Sequence, residues 1–130
     1  MKDVDANRLY AYGNSMGTFL TIGLAAEEPK RLAAAAITAG GVAPVEGQPA
    51  PSKAKAAKIK APILILHGTA DSTVPPERSQ MLEEVLKQGK IPHERKLFEG
   101  VGHELHASKA KEVNEIIVKW FKKHRRKDES

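Results

Sequence analysis

The sequence predicts an α/β fold in which a mostly parallel, four-stranded sheet is flanked by helices. Strand-like and helix-like segments alternate along its 130 residues, which is the order that parallel sheets require. Residues 61–68 form a continuously apolar run, as expected of a strand that is covered on both faces. The last segment repeats apolar residues at helical spacing from Val113 to Phe121, which predicts a helix with one buried face.

The first half of the chain supplies two predicted strands, one helix and a loop. Residues 8–12 are short, partly aromatic and followed by glycine, as at the end of a strand. Residues 16–26 are apolar on most sides and stop before Pro29, which predicts a buried helix. The small apolar residues of 32–38 precede two glycines, which favour a strand over a helix. Residues 42–58 are rich in proline, alanine and lysine without a period and predict a long, mobile loop.

The second half of the chain adds two strands and two helices. After strand 61–68, the Pro75-Pro76 pair opens a helix that carries an apolar stripe and ends near Gln88, before a glycine. Residues 93–98 are predicted as the fourth strand. The last helix begins near Ser108 and ends in a basic tail.

Length and composition indicate one globular domain. Residues 1–130 are expected to form a single domain, with a core at about 5–123 and a basic tail at 124–130. The absence of cysteine excludes disulfides, thiolate metal sites and a cysteine nucleophile. No apolar run approaches the roughly 20 residues that span a bilayer, and the polar first residues do not resemble a secretory signal. We therefore expect a cytoplasmic protein without membrane contact.

The formal net charge of +5 raises the question of an anionic partner. Much of the positive charge lies at 53–60 and 122–127, positions typical of solvated loops and helix ends. We expect no nucleic-acid binding, and a basic binding module is the weakest alternative.

The pentapeptide from Gly13 to Gly17 matches the Gly-x-Ser-x-Gly nucleophile elbow and lies between a predicted strand and a predicted helix. In this turn the strained serine backbone projects the hydroxyl above the sheet, and glycines are expected on both sides because strand and helix crowd their neighbours. Ser15 is therefore the candidate nucleophile. The following helix N-terminus would face a developing oxyanion.

A serine nucleophile needs a base and an orienting acid, in the chain order serine, acid, histidine for this arrangement. Asp71 follows strand 61–68, at the sheet edge where open α/β sheets build their sites, although a turn or helix-cap role is the simpler alternative. His103 follows the last strand in a glycine-containing loop, and its alternative is a surface histidine. We predict Asp71 and His103, with His106 as the competitor for the base.

The remaining polar residues predict no further chemistry. His67 ends a buried strand and is expected to be structural, and neither His93 nor His124 needs a catalytic role. Because no histidine and carboxylate cluster has metal-ligand spacing, we expect neither a metal nor a cofactor.

The chain resembles the carboxyl-terminal half of an α/β-hydrolase, over about residues 5–123. The likeness is to dienelactone hydrolases and to the polyhydroxyalkanoate depolymerase-like and acyl-peptidase-like esterases. It is carried by three motifs in the family order: YAYGNSMG at 10–17, PILILHGTAD at 62–71 with Val74-Pro75, and GVGH at 100–103. The resemblance implies a truncated α/β-hydrolase fold with Ser15 as nucleophile, His103 as base and Asp71 as acid. It also implies that Met16 gives its backbone N–H to the oxyanion hole and that the substrates are carboxylic esters.

The chain is also expected to differ from this family in two ways, because it resembles only the second half of the fold. The family's second oxyanion donor lies in a loop after its third strand, which the chain has no room for, and losing such a donor costs about 10²- to 10³-fold in rate. The strand between Arg8 and Tyr12 would be an exposed sheet edge, so we expect a homo-oligomer, most simply a dimer, formed through it.

The leading hypothesis is a serine hydrolase that cleaves short-chain carboxylic esters through an acyl-enzyme, acting as a self-associated oligomer. The alternative is a non-catalytic half-domain that requires a complementing partner chain. The motifs do not separate these two.

Overall fold

The computed structural model describes residues 10–28, 30–43 and 51–124. Its strands β1 (Tyr10–Asn14), β2 (Ala34–Thr38), β3 (Ile63–Gly68) and β4 (His93–Phe98) form one sheet in the order β1-β2-β3-β4. All three pairs of neighbouring strands are parallel. The predicted four-stranded sheet is confirmed.

The helices follow the strands in alternation. They are α1 (Met16–Glu27), α2 (Lys53–Ala56), α3 (Pro76–Gln88), α4 (Leu105–Ser108) and α5 (Ala110–Lys123). Each parallel pair of strands is therefore joined through a connection that contains a helix, as parallel strands require.

Two hydrophobic clusters cover the two faces of the sheet. On one face, Ile37 and Ile65 pack with apolar residues of α1 and α3. On the other, Leu64 and Leu66 pack with residues of α4 and α5, including Trp120. This period of two explains the apolar run of β3, in which all six residues are buried.

The prediction of a featureless loop at 42–58 is wrong where the structure describes it. Residues 53–56 form α2, and the Ser52 hydroxyl accepts the Lys55 N–H at 3.1 Å, which caps this short helix. Ala56 and Ile59 are buried in the cluster that contains Ile37. The buried residues Val42, Ala43 and Ala56 are too widely spaced along the chain to give a hydrophobic period. The stretch 44–50 lies outside the described residues.

Other boundaries shift by a few residues. The first strand runs from Tyr10 to Asn14, and the predicted start at Arg8 lies outside the described residues, as does the tail at 125–130. The strand predicted from Leu32 begins at Ala34, although Leu32 is buried. The last helix is preceded by a separate short helix, α4. Across the described ranges, each helix is too short or too polar to span a membrane.

Candidate active site

Ser15 lies between β1 and α1 in a backbone conformation that L-residues rarely adopt, with φ 56° and ψ −114°. Its N–H donates to the Thr38 carbonyl oxygen at 2.9 Å, which attaches the turn to β2. Such a backbone costs about 1–3 kcal/mol and persists only where the surroundings enforce it. The turn has the geometry expected of a nucleophile elbow.

The two glycines of the elbow differ in what they require. A Cβ on Gly13 would stand 2.2 Å from the Gly17 carbonyl oxygen and 2.4 Å from the Thr21 hydroxyl, so β1 and α1 approach too closely for a side chain. A Cβ on Gly17 would meet nothing within 4 Å. The expectation that crowding requires glycine on both sides is therefore right for Gly13 and wrong for Gly17.

The structure brings the three predicted site residues into one hydrogen-bonded row. Ser15 Oγ lies 2.7 Å from His103 Nε2, and His103 Nδ1 lies 2.9 Å from Asp71 Oδ2. The Asp71 side chain is fully buried, whereas 29% of the His103 side chain is exposed. A serine, an imidazole and a buried carboxylate in this order can transfer a proton from the hydroxyl to Nε2 while the carboxylate fixes Nδ1–H.

The acid is held by its own loop. Asp71 Oδ1 accepts the backbone N–H groups of Thr73 at 3.0 Å and Val74 at 2.8 Å. Those bonds occupy one carboxylate oxygen and leave Oδ2 facing His103. The simpler alternative, an aspartate that stabilises a turn, therefore also holds: Oδ1 stabilises the turn while Oδ2 contacts the histidine.

The histidine loop is attached to the acid loop. The Ala70 N–H donates to the Val101 carbonyl oxygen at 2.9 Å, and the Gly100 N–H donates to the Thr69 hydroxyl at 2.8 Å. Gly100 has φ 75°, a left-handed conformation that favours glycine. The two loops, which are distant in sequence, therefore form one edge of the site.

The competing histidine points elsewhere. His106 Nδ1 lies 2.5 Å from the Tyr12 hydroxyl, and their rings stack at 5.8 Å between centroids. The Tyr12 hydroxyl also lies 3.3 Å from Thr38 Oγ1, and burial raises the pKa of Tyr12. His106 therefore connects α4 to β1, whereas His103 contacts Ser15.

Met16 is the first residue of α1, so its N–H has no partner within the helix. It directly follows Ser15, at the helix end that carries the positive dipole. The Met16 side chain is 74% exposed. The oxyanion role of the Met16 N–H stays a prediction that this position permits.

Sequence reasoning missed one residue that contacts the site. His67 is fully buried, and its Nε2 lies 3.3 Å from Asp71 Oδ2, the same oxygen that faces His103. Burial lowers the pKa of His67, an effect that its bond to the Val74 carbonyl oxygen opposes. The i, i+4 spacing of His67 and Asp71 across a strand end was the available signal.

The other histidines lie apart from this row. His93 Nδ1 donates to the Ile91 carbonyl oxygen at 2.9 Å, and His124 packs against the Trp120 ring. Burial lowers the pKa of His124. In the part of the chain that the structure describes, no three histidine, aspartate or glutamate side chains are grouped as metal ligands.

Comparison with known proteins decides the family. The dienelactone hydrolase family matches the chain over residues 1–125. The chain belongs to this family. No curated protein sequence matches it. The fold is accordingly that of the α/β-hydrolase class.

Solved structures share the fold at low sequence identity. The Pyrococcus horikoshii acylaminoacyl peptidase superposes with a TM-score of 0.84 at 17% identity, over 98% of this chain and 26% of that one. A Klebsiella pneumoniae protein described as a dienelactone hydrolase gives 0.76 at 24%, over 90% and 52%. The Paleococcus ferrophilus monoacylglycerol lipase gives 0.74 at 20%, over 90% and 69%. The chain thus spans about a quarter of the first of these proteins and about half of the second.

Proposed function

We propose that the chain is a serine hydrolase that cleaves short-chain carboxylic esters. The observation that carries the proposal is the row from Ser15 Oγ through His103 to Asp71, with contacts of 2.7 and 2.9 Å. The dienelactone hydrolase family and the lipase among the structural neighbours support an ester as the substrate class.

In the proposed reaction, Ser15 Oγ attacks the ester carbonyl while His103 Nε2 accepts the hydroxyl proton. Asp71 holds the imidazole through Nδ1–H and stabilises the imidazolium that forms. The oxyanion accepts a hydrogen bond from the Met16 N–H. His103 then protonates the leaving alcohol, and water, activated by the same imidazole, hydrolyses the acyl-enzyme and restores Ser15.

The test is hydrolysis of p-nitrophenyl acetate and butyrate by the wild type and by Ser15→Ala. Ser108→Ala is a matched control, because Ser108 is an exposed serine at the end of α4. We expect turnover by the wild type and the control and none above background by Ser15→Ala. Equal hydrolysis by the wild type and Ser15→Ala contradicts the proposal. Longer acyl chains in the same assay test the proposed short-chain preference.

Self-association is the second part of the proposal. Among the described residues, β1 pairs with β2 on one side and with no strand on the other. Beside it, α1 exposes three apolar side chains at i, i+4 and i+8: Met16, Leu20 and Leu24, which are 74%, 79% and 44% exposed. A bare strand edge next to an apolar helix face favours pairing with another chain. A second copy of this chain is the proposed occupant.

The same surface supports the alternative function, a non-catalytic half-domain that binds a complementing chain. The observation that favours this alternative is that the chain covers only 26% to 69% of the length of the three solved structures described above. Esterase activity that arises only after a second, different chain is added would favour this alternative. A cytoplasmic location also stays a proposal, which cell fractionation tests.

A further inference from the structure

Behind the acid of the proposed triad lies a buried row of polar side chains that the reaction scheme does not use. His67 at the end of β3 and Ser79 in α3 are both fully buried. His67 Nε2 lies 2.8 Å from the Val74 carbonyl oxygen and 3.3 Å from Asp71 Oδ2. His67 Nδ1 lies 2.9 Å from Ser79 Oγ. One imidazole therefore contacts both the acid loop and α3.

The hydrogen-bond partners fix which nitrogen of His67 carries its proton. Both groups near Nε2 are acceptors, since Val74 offers a carbonyl oxygen and Asp71 a carboxylate. Nε2 is therefore protonated and donates. Whether Nδ1 is also protonated depends on the Ser79 hydroxyl, which has one proton and two acceptors within reach.

Arg95 on β4 favours one of these two arrangements. Its Nη2 donates to the Pro76 carbonyl oxygen at 2.9 Å, and its Nε donates to Ser79 Oγ at 2.9 Å. The Ser79 hydroxyl is within donating distance of the Pro76 oxygen at 3.0 Å, but that oxygen already accepts from Arg95, so the Ser79 proton can instead bond His67 Nδ1. A second proton on Nδ1 would place an imidazolium in a buried site next to the Arg95 guanidinium, which burial and like charge both oppose.

We propose that His67 is a positioning residue for the acid of the triad, held as the neutral Nε2–H tautomer by Ser79 and Arg95. In this form it donates to the Val74 carbonyl oxygen, places the N–H dipole 3.3 Å from Asp71 Oδ2, and fixes the 71–74 loop so that Asp71 Oδ2 faces His103. A neutral His67 also leaves the charge of Asp71 to His103, whereas an imidazolium would compete for the same oxygen. This inference rests on the proposed hydrolase function.

The first test reads the tautomer without any catalytic assay. Long-range ¹H–¹⁵N correlation of histidine-labelled protein distinguishes protonated from unprotonated ring nitrogens, and His67→Gln assigns the signal. We expect Nε2 protonated and Nδ1 unprotonated at the ordinary imidazole pKa of 6.5 and above it. A proton on Nδ1 at neutral pH overturns the proposal.

The second test compares two amides at this position. In His67→Gln the amide nitrogen reaches the place of Nε2 and can still donate towards Val74 and Asp71. In His67→Asn the amide lies near Nδ1 and leaves both acceptors without a donor. We expect His67→Asn to lower kcat about 10²-fold at nearly unchanged KM, and His67→Gln to retain most of the activity. His93→Gln is the control, because it removes a histidine that contacts neither the proposed triad nor the buried polar residues behind it.

The concentration of active sites is titrated with a phosphonate, and each rate is divided by it, so that misfolded protein does not contribute to kcat. Equal losses in the two variants, or equal retention, overturn the positioning role. If the wild type hydrolyses no ester, the proposed function fails. The low-field Nδ1–H proton of His103 then decides the positioning role, because it should move in His67→Asn and stay in His67→Gln.

Discussion

Gly13 shows how one residue sets the position of the nucleophile. The absence of a side chain lets β1 approach α1, and the close approach helps to hold Ser15 in its strained backbone. Because a Cβ would stand 2.2 Å from a backbone oxygen, relief requires that the strand and helix move apart. The strain at Ser15 is thus maintained by its neighbours.

Gly13→Ala is expected to lower the free energy of unfolding by about 1–3 kcal/mol through overpacking. Gly17→Ala is the matched control, since its Cβ meets nothing and alanine favours a helix by about 1 kcal/mol over glycine. Urea denaturation measures both. Equal stabilities of the two variants would contradict the account of the elbow.

Asp71→Asn tests what the charge of the acid contributes. The remaining oxygen can still accept the N–H groups of Thr73 and Val74, so the loop is expected to fold. The new amide nitrogen would donate towards His103 Nδ1 and favour the wrong tautomer, with a loss in kcat of about 10⁴-fold. Ester hydrolysis together with circular dichroism measures this. An active variant within about tenfold of wild type would remove Asp71 from the reaction.

The lowered pKa of His67 predicts how stability depends on pH. Burial is the main cause, Arg95 acts in the same direction, and Asp71 opposes it. Since the unfolded imidazole binds its proton more tightly, the contribution of His67 is fully present above the ordinary pKa of 6.5. It is lost as the pH falls from there through the folded pKa. Urea titrations across this window should therefore show a steeper fall for wild type than for His67→Gln.

At the scale of elements, strands and long helices were predictable because packing leaves a period in the sequence. β3 was predicted from its apolar run, and α5 from the spacing that buries Val113, Ile117 and Trp120. The short helix α2 was not predicted, because Ala56 is its only buried residue and a single apolar position gives no helical period. A helix with so few buried residues leaves no hydrophobic period in the sequence.

The site residues that directly follow strands could be predicted from the sequence. The contacts that depend on how a helix packs on the sheet could not. Asp71 and His103 each follow a strand whose carboxyl end lies at the same edge of the sheet. The contact of Ser79 with both His67 and Arg95 depends on how α3 lies over β3 and β4. No local pattern encodes that placement, so His67 was expected to be merely structural.

At the scale of the whole molecule, the apolar face of α1 beside β1 predicts self-association. We expect the wild type to sediment as a dimer at micromolar concentration and Leu20→Glu, which puts a charge on that face, to shift it towards the monomer. Val118→Glu is the control, because Val118 is 49% exposed on α5, across the sheet from α1. A wild type that sediments as a monomer would contradict the proposal.

The most direct test of the central claim is the reaction with a fluorophosphonate, followed by peptide mass spectrometry. A serine activated by His103 should give one adduct, on Ser15, in the wild type and in His106→Ala, because His106 contacts Tyr12 instead. His103→Ala should abolish the adduct within the same labelling time. No adduct in the wild type, an adduct on another serine, or undiminished labelling of His103→Ala would contradict the assignment.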